Sequence, residues 1–193
     1  MLLLTREKIK HADCIEIQDE YAELIMRNAE LNSLSQRLNA VCEDIRSFRP
    51  EREYEIVYTN PPYMKTNSGK GNDLGAKNIA RHEVFGDISD FAREGARLLK
   101  FGGCFASVYR PDRLTDLVAA LRGAGLEPKR MTFVHADCSS EPSMVLTEAK
   151  KGAKSGMTVT MPLIIYSDKS HKTYSDDMSY IMENGSFPEK FRR

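Results

Sequence analysis

The chain has 193 residues, 41% hydrophobic and 29% charged, with 28 Lys/Arg balanced by 28 Asp/Glu. That suits one globular domain, with at most a small appendage, and a real core. It excludes a uniformly basic nucleic-acid coat, and no apolar run reaches the ~20 residues that span a bilayer. Met1-Leu2-Leu3-Leu4 runs straight into charge and is too short for a signal-peptide core, so a cytoplasmic protein is expected. Cys14, Cys42, Cys104 and Cys138 form no CxxC pair and read as reduced thiols, not a metal site or disulfide framework.

In chain order, short β-like runs alternate with amphipathic stretches. Asp13–Ile17 reads as a strand, followed by a helix capped by Asp19 and reaching about Asn32, with Tyr21, Leu24, Ile25 and Ala29 on one face. Leu38–Cys42 is a second strand, ending in Glu43-Asp44. Tyr54–Thr59 is a third, stopped by Asn60-Pro61-Pro62. Residues 64–80 have loop composition. Asp87 or Ser89 caps the next helix, whose apolar face runs from Ile88 to Leu99. Phe101-Gly102-Gly103 is expected to close it before a strand over Cys104–Tyr109. Asp112 is expected to cap a helix from Arg113 to Ala124, ended by Gly125. Leu126–His135 and Ser143–Ala149 then read as facing strands, Pro162–Tyr166 as a short apolar run, and Tyr174–Glu183 as a last helix. Strand–helix alternation predicts an α/β fold with a mostly parallel sheet and an antiparallel hairpin at one edge. The division expected is a main domain over residues 1–150 and an extension over 151–193 packed on or near it.

The densest chemistry is Asn60-Pro61-Pro62-Tyr63 at a strand end. An aromatic amine is a poor nucleophile because its lone pair is delocalised into the ring. Two acceptors for its N–H hydrogens, the Asn60 side-chain carbonyl and the Pro61 backbone carbonyl, favour a pyramidal nitrogen with that pair freed. The prolines hold the backbone rigid. Tyr63 is placed to stack on a flipped base. With an activated sulfonium methyl donor, no metal and no general-base triad is needed, and positioning does most of the work. Glu16 ends the first recognisable strand, where α/β nucleotide-binding folds use a carboxylate to accept ribose hydroxyls. Asp44, ending the next, suits a cofactor adenine amino group. Parallel strands set their carboxyl ends along one edge, so Glu16, Asp44 and Asn60 carry more weight together than singly. Lys65, Lys70 and Lys77, with Asp73 alone opposing them, lead into Ala80-Arg81-His82-Glu83, a basic segment suited to clamping phosphates, to which Arg110 is a further candidate. His11 and His135 read as structural. Charge drifts from −4 over residues 1–60 through +1 over 61–149 to +3 over 150–193, which suits an adenosyl ligand on one side and a phosphate backbone on the other.

With these residues in view, the chain resembles the tRNA1(Val) (adenine-N6)-methyltransferases, in their Firmicute-like branch, over nearly all its length. The resemblance rests on Ile15-Glu16-Ile17-Gln18, Asn60–Tyr63, Ala80–Glu83, Arg110–Leu114, Leu126–Arg130 with Val134-His135, and Pro162–Tyr166. It implies a Rossmann-like class I methyltransferase sheet, S-adenosylmethionine as cofactor, tRNA as substrate and methylation of an anticodon-loop adenine, without metal or membrane. It also implies that Glu16 and Ile17 meet the cofactor ribose, Asp44 and Ile45 its adenine, and Asn60, Pro61, Pro62 and Tyr63 the target amine.

The departure lies at the front. No GxGxG-like turn occurs, and Leu2–Glu7 resembles the end of the helix that follows that turn in the family. The expectation is therefore an amino-terminally truncated or split methyltransferase lacking the first strand and Gly-rich turn, complemented by an amino-terminal segment. The readings weighed against it are a release-factor glutamine methyltransferase with the same strand-end signature, a DNA adenine methyltransferase, and a non-catalytic remnant that binds RNA or a partner chain. Truncation predicts weak binding of S-adenosylmethionine by this chain alone; tight binding in isothermal titration refutes it.

Overall fold

The computed structural model describes residues 1–61 and 86–191, and the chain divides into two units, Met1–Glu51 and Arg52–Arg193.

The first unit runs α1 (Leu2–Thr5), β1 (Ala12–Glu16), α2 (Asp19–Leu31), β2 (Leu38–Cys42). β1 and β2 pair in parallel, from Ala12 opposite Leu38 to Glu16 opposite Cys42, so both strands finish at the same level. A crossover helix is what a parallel pair requires, and α2 supplies it. Ala22, Ile25 and Ala29 recur at helical spacing, and Ile25 and Ala29 pack with Leu4, Leu34 and Leu38 into a small core. Arg37 closes the unit, donating from Nε and Nη2 to the carbonyls of Lys10 and Ile9, each at 2.9 Å. The expected cap of α2 is corrected by one residue. Gln18 is the N-cap, without a side-chain cap bond, and Asp19 is the first helical residue. There Asp19 and Glu20 complement the positive end of the helix dipole instead.

The second unit runs β3 (Tyr54–Thr59), α3 (Ile88–Leu98), β4 (Leu99–Tyr109), a 3-10 turn (Pro111–Arg113), α4 (Leu114–Gly123), β5 (Leu126–His135), β6 (Pro142–Lys151), β7 (Thr158–Val159), β8 (Leu163–Ile164), α5 (Asp176–Asn184) and a 3-10 turn (Glu189–Phe191). The strand order is β3-β4-β6-β5-β7, with β8 also paired to β5. β3 lies parallel to β4, and β7 and β8 lie parallel to β5, while β6 is antiparallel to both its neighbours. The sequence-expected hairpin is present as β5–β6, but β6 lies between β4 and β5, so the parallel β7 and β8 flank β5 on its far side.

Alternation along β6 sorts the two faces. Val145 and Ala149 join Phe105, Tyr109, Leu117 and Leu121 in the main core against α3 and α4. Met144 and Leu146 point the other way, toward Leu163, Ile181, Phe187 and Phe191 of the tail. Residues 163–191 thus belong to the second unit by packing.

Two local readings are corrected. β4 begins at Leu99, directly from α3, and Gly102 and Gly103 lie inside the strand. The register jumps from Tyr54 opposite Leu99 to Ile56 opposite Cys104, a bulge that Gly102 accommodates at φ +79°. Asp112 is not a helix cap; it sits in the 3-10 turn and its carboxylate faces Arg110. At α3 the expected cap holds. Asp87 accepts from the backbone N–H of Ser89 and of Asp90, at 2.8 and 3.1 Å, while Asp90 accepts from Asp87 N–H, a reciprocal capping box.

α3 crosses the sheet at Gly95, where a Cβ would stand 2.4 Å from the Phe105 ring. Phe105 is 1% exposed and has no room to yield. Gly95→Ala should therefore destabilise the protein by about 1–3 kcal/mol in thermal denaturation, despite alanine's better helix propensity. Gly123→Ala, whose Cβ meets nothing within 4 Å, should be neutral or stabilise by up to ~1 kcal/mol.

Candidate active site

Each unit presents the carboxyl ends of parallel strands at one edge, where ligands bind in α/β folds. Glu16 and Asp44 belong to the first unit; Asn60, Pro61 and Arg110 belong to the second.

In the first unit, Glu43 N–H donates to the Glu16 carbonyl at 3.0 Å and ties the two strand ends together. Glu16, Ile17, Asp44 and Ile45 are all half-buried there. Glu16 commits Oε1 to the backbone N–H of Gln18 at 2.9 Å, which fixes the carboxylate and leaves Oε2 as an acceptor. A fixed carboxylate with one spare oxygen fits a ribose diol. Asp44 starts a turn: its Oδ1 accepts from Arg46 N–H at 2.8 Å, and its carbonyl from Ser47 and Phe48 N–H. The Arg46 guanidinium also donates to Asp44, with Nε 2.9 Å from Oδ2. Hydrogen bonding from Arg46 holds the Asp44 carboxyl below its usual range, against the opposing effect of burial. For Asp44 to accept an adenine amino group, Arg46 must give way, and its 40% side-chain exposure leaves it room to do so.

In the second unit, Thr59 stands opposite Ser107, so Asn60 leaves β3 beside the end of β4. Asn60 is exposed, while the Pro61 side chain is fully buried and anchors the backbone that carries the Asn60–Pro61 carbonyls. Arg110 follows β4 and is held bidentately by Asp112, with Nε–Oδ1 and Nη2–Oδ2 both 2.9 Å. That hydrogen bonding also keeps the Asp112 carboxyl below its usual range. Pro62, Tyr63, Lys65, Lys70, Lys77, Arg81 and His82 lie outside the described residues.

A cleft of about 480 Å³ opens on the tail-facing side of the sheet, starting at Tyr58 and Thr59 and walled by Val108, Leu146, Phe187 and Phe191. It lies beside the strand bearing Asn60. Among the described residues no group of three or more His, Cys, Asp or Glu is placed to hold a metal ion, and no helix is long and apolar enough to cross a membrane. The four cysteines are free.

The same edge carries a constellation that the sequence did not reveal. β5 ends at His135, whose Nδ1 lies 2.8 Å from the Ser140 carbonyl, a structural contact as expected for that residue. Just beyond, Asp137 is only 5% exposed. It accepts from Ser139 N–H at 2.8 Å, from the Ser139 hydroxyl at 2.6 Å, and faces His171 Nε2 at 2.9 Å. Asp137 and His171 are 34 residues apart, and only the β5–β8 pairing brings them together.

No protein-family model matches the chain. Its sequence is 29% identical over 159 residues to a tRNA1(Val) (adenine(37)-N6)-methyltransferase of Phocaeicola vulgatus, covering 80% of this chain and 67% of that protein. Its fold matches a predicted O-methyltransferase of Agrobacterium tumefaciens with TM-score 0.69 at 20% identity, over 91% of this chain and 78% of the other. It also matches a candidate class I S-adenosylmethionine-dependent methyltransferase of Listeria monocytogenes with TM-score 0.58 at 15% identity, over 88% and 55%. The chain is thus similar in sequence to the tRNA1(Val) adenine-N6 methyltransferases. Its fold is the Rossmann-like α/β fold of class I methyltransferases. Within the first unit Glu16 and Asp44 lie at or just beyond strand ends, and within the second Asn60-Pro61 follows the end of β3.

Asp137 gives a pH test. Hydrogen bonds from Ser139 and then His171 hold its carboxyl far below the ordinary value of about 3.9. A group whose folded pKa is depressed contributes stability that is full above its unfolded pKa and lost as pH falls through the folded one. Wild type should therefore melt above Asp137→Asn by a constant margin from pH 7 to about 5, and the margin should shrink below about pH 4. A margin that persists unchanged to pH 2 counts against the clasp.

Proposed function

We propose that this chain transfers a methyl group from S-adenosylmethionine to the exocyclic N6 amine of an adenine in tRNA, of the tRNA1(Val) anticodon-loop type. One observation carries the reading: Asn60-Pro61 leaves a parallel strand at the carboxyl edge of the sheet, in a chain similar over four fifths of its length to a tRNA1(Val) adenine-N6 methyltransferase.

S-adenosylmethionine, when bound, supplies an activated methyl group. Glu16, its carboxylate oriented by Gln18 N–H, accepts from the cofactor ribose through Oε2. Asp44 accepts from the cofactor adenine, with Ile17 and Ile45 as apolar neighbours. Asn60 and the Pro61 carbonyl accept the two N–H hydrogens of the target amine, so that its nitrogen presents a lone pair to the methyl group; once the N–C bond forms and the sulfonium C–S bond breaks, the methylated nitrogen is cationic and releases its extra proton to water. Buried Pro61 keeps the acceptors pre-organised, so little reorganisation is needed at the moment of transfer. In the same reading Pro62 and Tyr63 act on the target base, Tyr63 by stacking on it once it is extruded. Lys65, Lys70, Lys77, Arg81 and His82 contact backbone phosphates, and Arg110 joins them through donors not committed to Asp112.

The test is transfer of labelled methyl groups to purified tRNA, compared with a release factor and with duplex DNA. Label on N6 of a tRNA adenine is expected, and Asn60→Ala should lower the rate by about 100-fold or more while leaving the melting temperature unchanged. Label on the release factor or on duplex DNA, with none on tRNA, overturns the assignment.

A further inference from the structure

The carboxyl edge of the second unit extends past Asn60 and Arg110 to the hairpin that follows β8. Tyr166 and Tyr174 form an isolated antiparallel bridge, and Ser167 N–H donates to the Thr173 carbonyl at 3.0 Å, closing a seven-residue loop over 167–173. Its tip carries Lys169, His171 and Lys172, all exposed. His171 adopts φ +55°, a conformation a bulky residue takes at a cost. Buried Asp137 holds it there, with the His171 side chain still 46% exposed. The ring is stacked with Tyr166 at 4.8 Å and 19°, and Tyr166 is stacked with Tyr174 at 5.5 Å and 17°. Tyr174 is 44% exposed. Asp137 has neither Lys nor Arg as a partner among the described residues; its three donors come from Ser139 and His171 alone.

An array of aligned aromatic rings with open area, flanked by two lysines, is the chemistry that grips unpaired nucleotides: rings for bases, ammonium groups for phosphates. Because β3, β4, β5 and β8 run in one direction, the hairpin stands on the same edge as Asn60. Four strand spacings separate β3 from β8 in the order β3-β4-β6-β5-β8, or about 19 Å. A few nucleotides of single strand bridge that gap. We infer that the 166–174 hairpin, held by the Asp137–Ser139–His171 clasp, is a second contact for single-stranded RNA, binding nucleotides that flank the methylated one. The inference rests on the reading of the chain as a tRNA methyltransferase and adds to it the site that seats the loop beside the target base.

The test uses the whole chain and two probes, a fluorescein-labelled tRNA transcript and a fluorescein-labelled single-stranded RNA, read by anisotropy. His171→Ala combined with Tyr174→Ala should weaken binding of both about tenfold, with Tyr174→Phe restoring its share because the ring face is kept. Lys169→Gln with Lys172→Gln should lower the salt slope of binding by one to two contacts, while the aromatic changes leave that slope alone. All four positions are exposed; His171→Ala removes a donor from buried Asp137 and should itself lower the melting temperature, so Tyr174→Ala alone and the lysine pair, which leave the Asp137–His171 contact intact and should melt as wild type, show that any loss of binding is not loss of fold. If wild type binds either RNA and these substitutions leave affinity and slope unchanged, the hairpin is not an RNA contact, and the methyl-transfer reading is untouched. Failure of that reading has a different signature, in which wild type binds tRNA, the hairpin variants lose it, and no label is transferred.

Discussion

Parallel pairing is the constraint on which the rest depends. Once β1 lies parallel to β2 with Glu16 level with Cys42, the residues following both strands emerge side by side, and Glu16 and the Asp44 turn become neighbours without any contact between their side chains. The same holds where β3 meets β4: Thr59 opposite Ser107 puts Asn60 and Arg110 at adjacent strand ends. A shift by one residue would turn every side chain of the strand to the opposite face. The bulge at Gly102-Gly103 takes up the irregularity at the far end of β4, leaving the register at the functional end unbroken from Ile56 to Thr59. The glycines that look like a helix stop in sequence thus absorb the irregularity away from the strand end that carries Asn60.

The antiparallel β6 strand performs a different task. Between β4 and β5 it brings one row of side chains to the α3–α4 core and the opposite row to the tail. The tail is therefore part of the fold, with Phe191 2% exposed and Phe187 packed nearby. It also returns the chain along β5, so that β8 ends at the same edge as β3 and β4. A short two-residue strand such as Leu163–Ile164 contributes little stability alone, but it fixes where the following hairpin stands. The Asp137 clasp then fixes how that hairpin is oriented.

Much of this was legible from residue pattern. Leu38–Cys42, Tyr54–Thr59 and Leu126–His135 were readable to the residue: Tyr54–Thr59 as a β-branched and aromatic run stopped by Asn60-Pro61, Leu38–Cys42 by the acidic turn Glu43-Asp44 after it, and Leu126–His135 by Gly125 before it. The start of α3 was readable as a cap at Asp87 or Ser89, and the reciprocal box with Asp90 selects Asp87. The position of Asn60-Pro61 just beyond a strand was legible because the cause is local: a proline cannot continue the ladder. Errors fell where the meaning is non-local. Asp19 and Asp112 both look like caps, yet one lies a residue inside its helix and the other is drawn to Arg110. The first five residues of β4 were hidden because Phe101-Gly102-Gly103 reads as a helix terminus when the bulge partner, β3, is not considered. Sequence gave no hint of Asp137 with His171, since each alone is an ordinary polar loop residue.

The contrast between the strand-end carboxylates and Asp137 separates two uses of one chemical group. Glu16 keeps an oxygen unspent, and Asp44 is tied to an arginine with exposure enough to release it. Both are poised to exchange partners. Asp137 is almost fully buried and has its oxygens committed to a serine and a histidine of its own chain. A carboxylate so enclosed gains nothing from exchanging partners, since losing either donor would leave charge buried without compensation. It acts as a fixed post, and its effect is felt one residue outward, in the His171 ring that it holds by a 2.9 Å contact. Rigidity at a solvent-exposed ring is costly to maintain, and it lowers the entropy lost when a flat partner stacks on that ring.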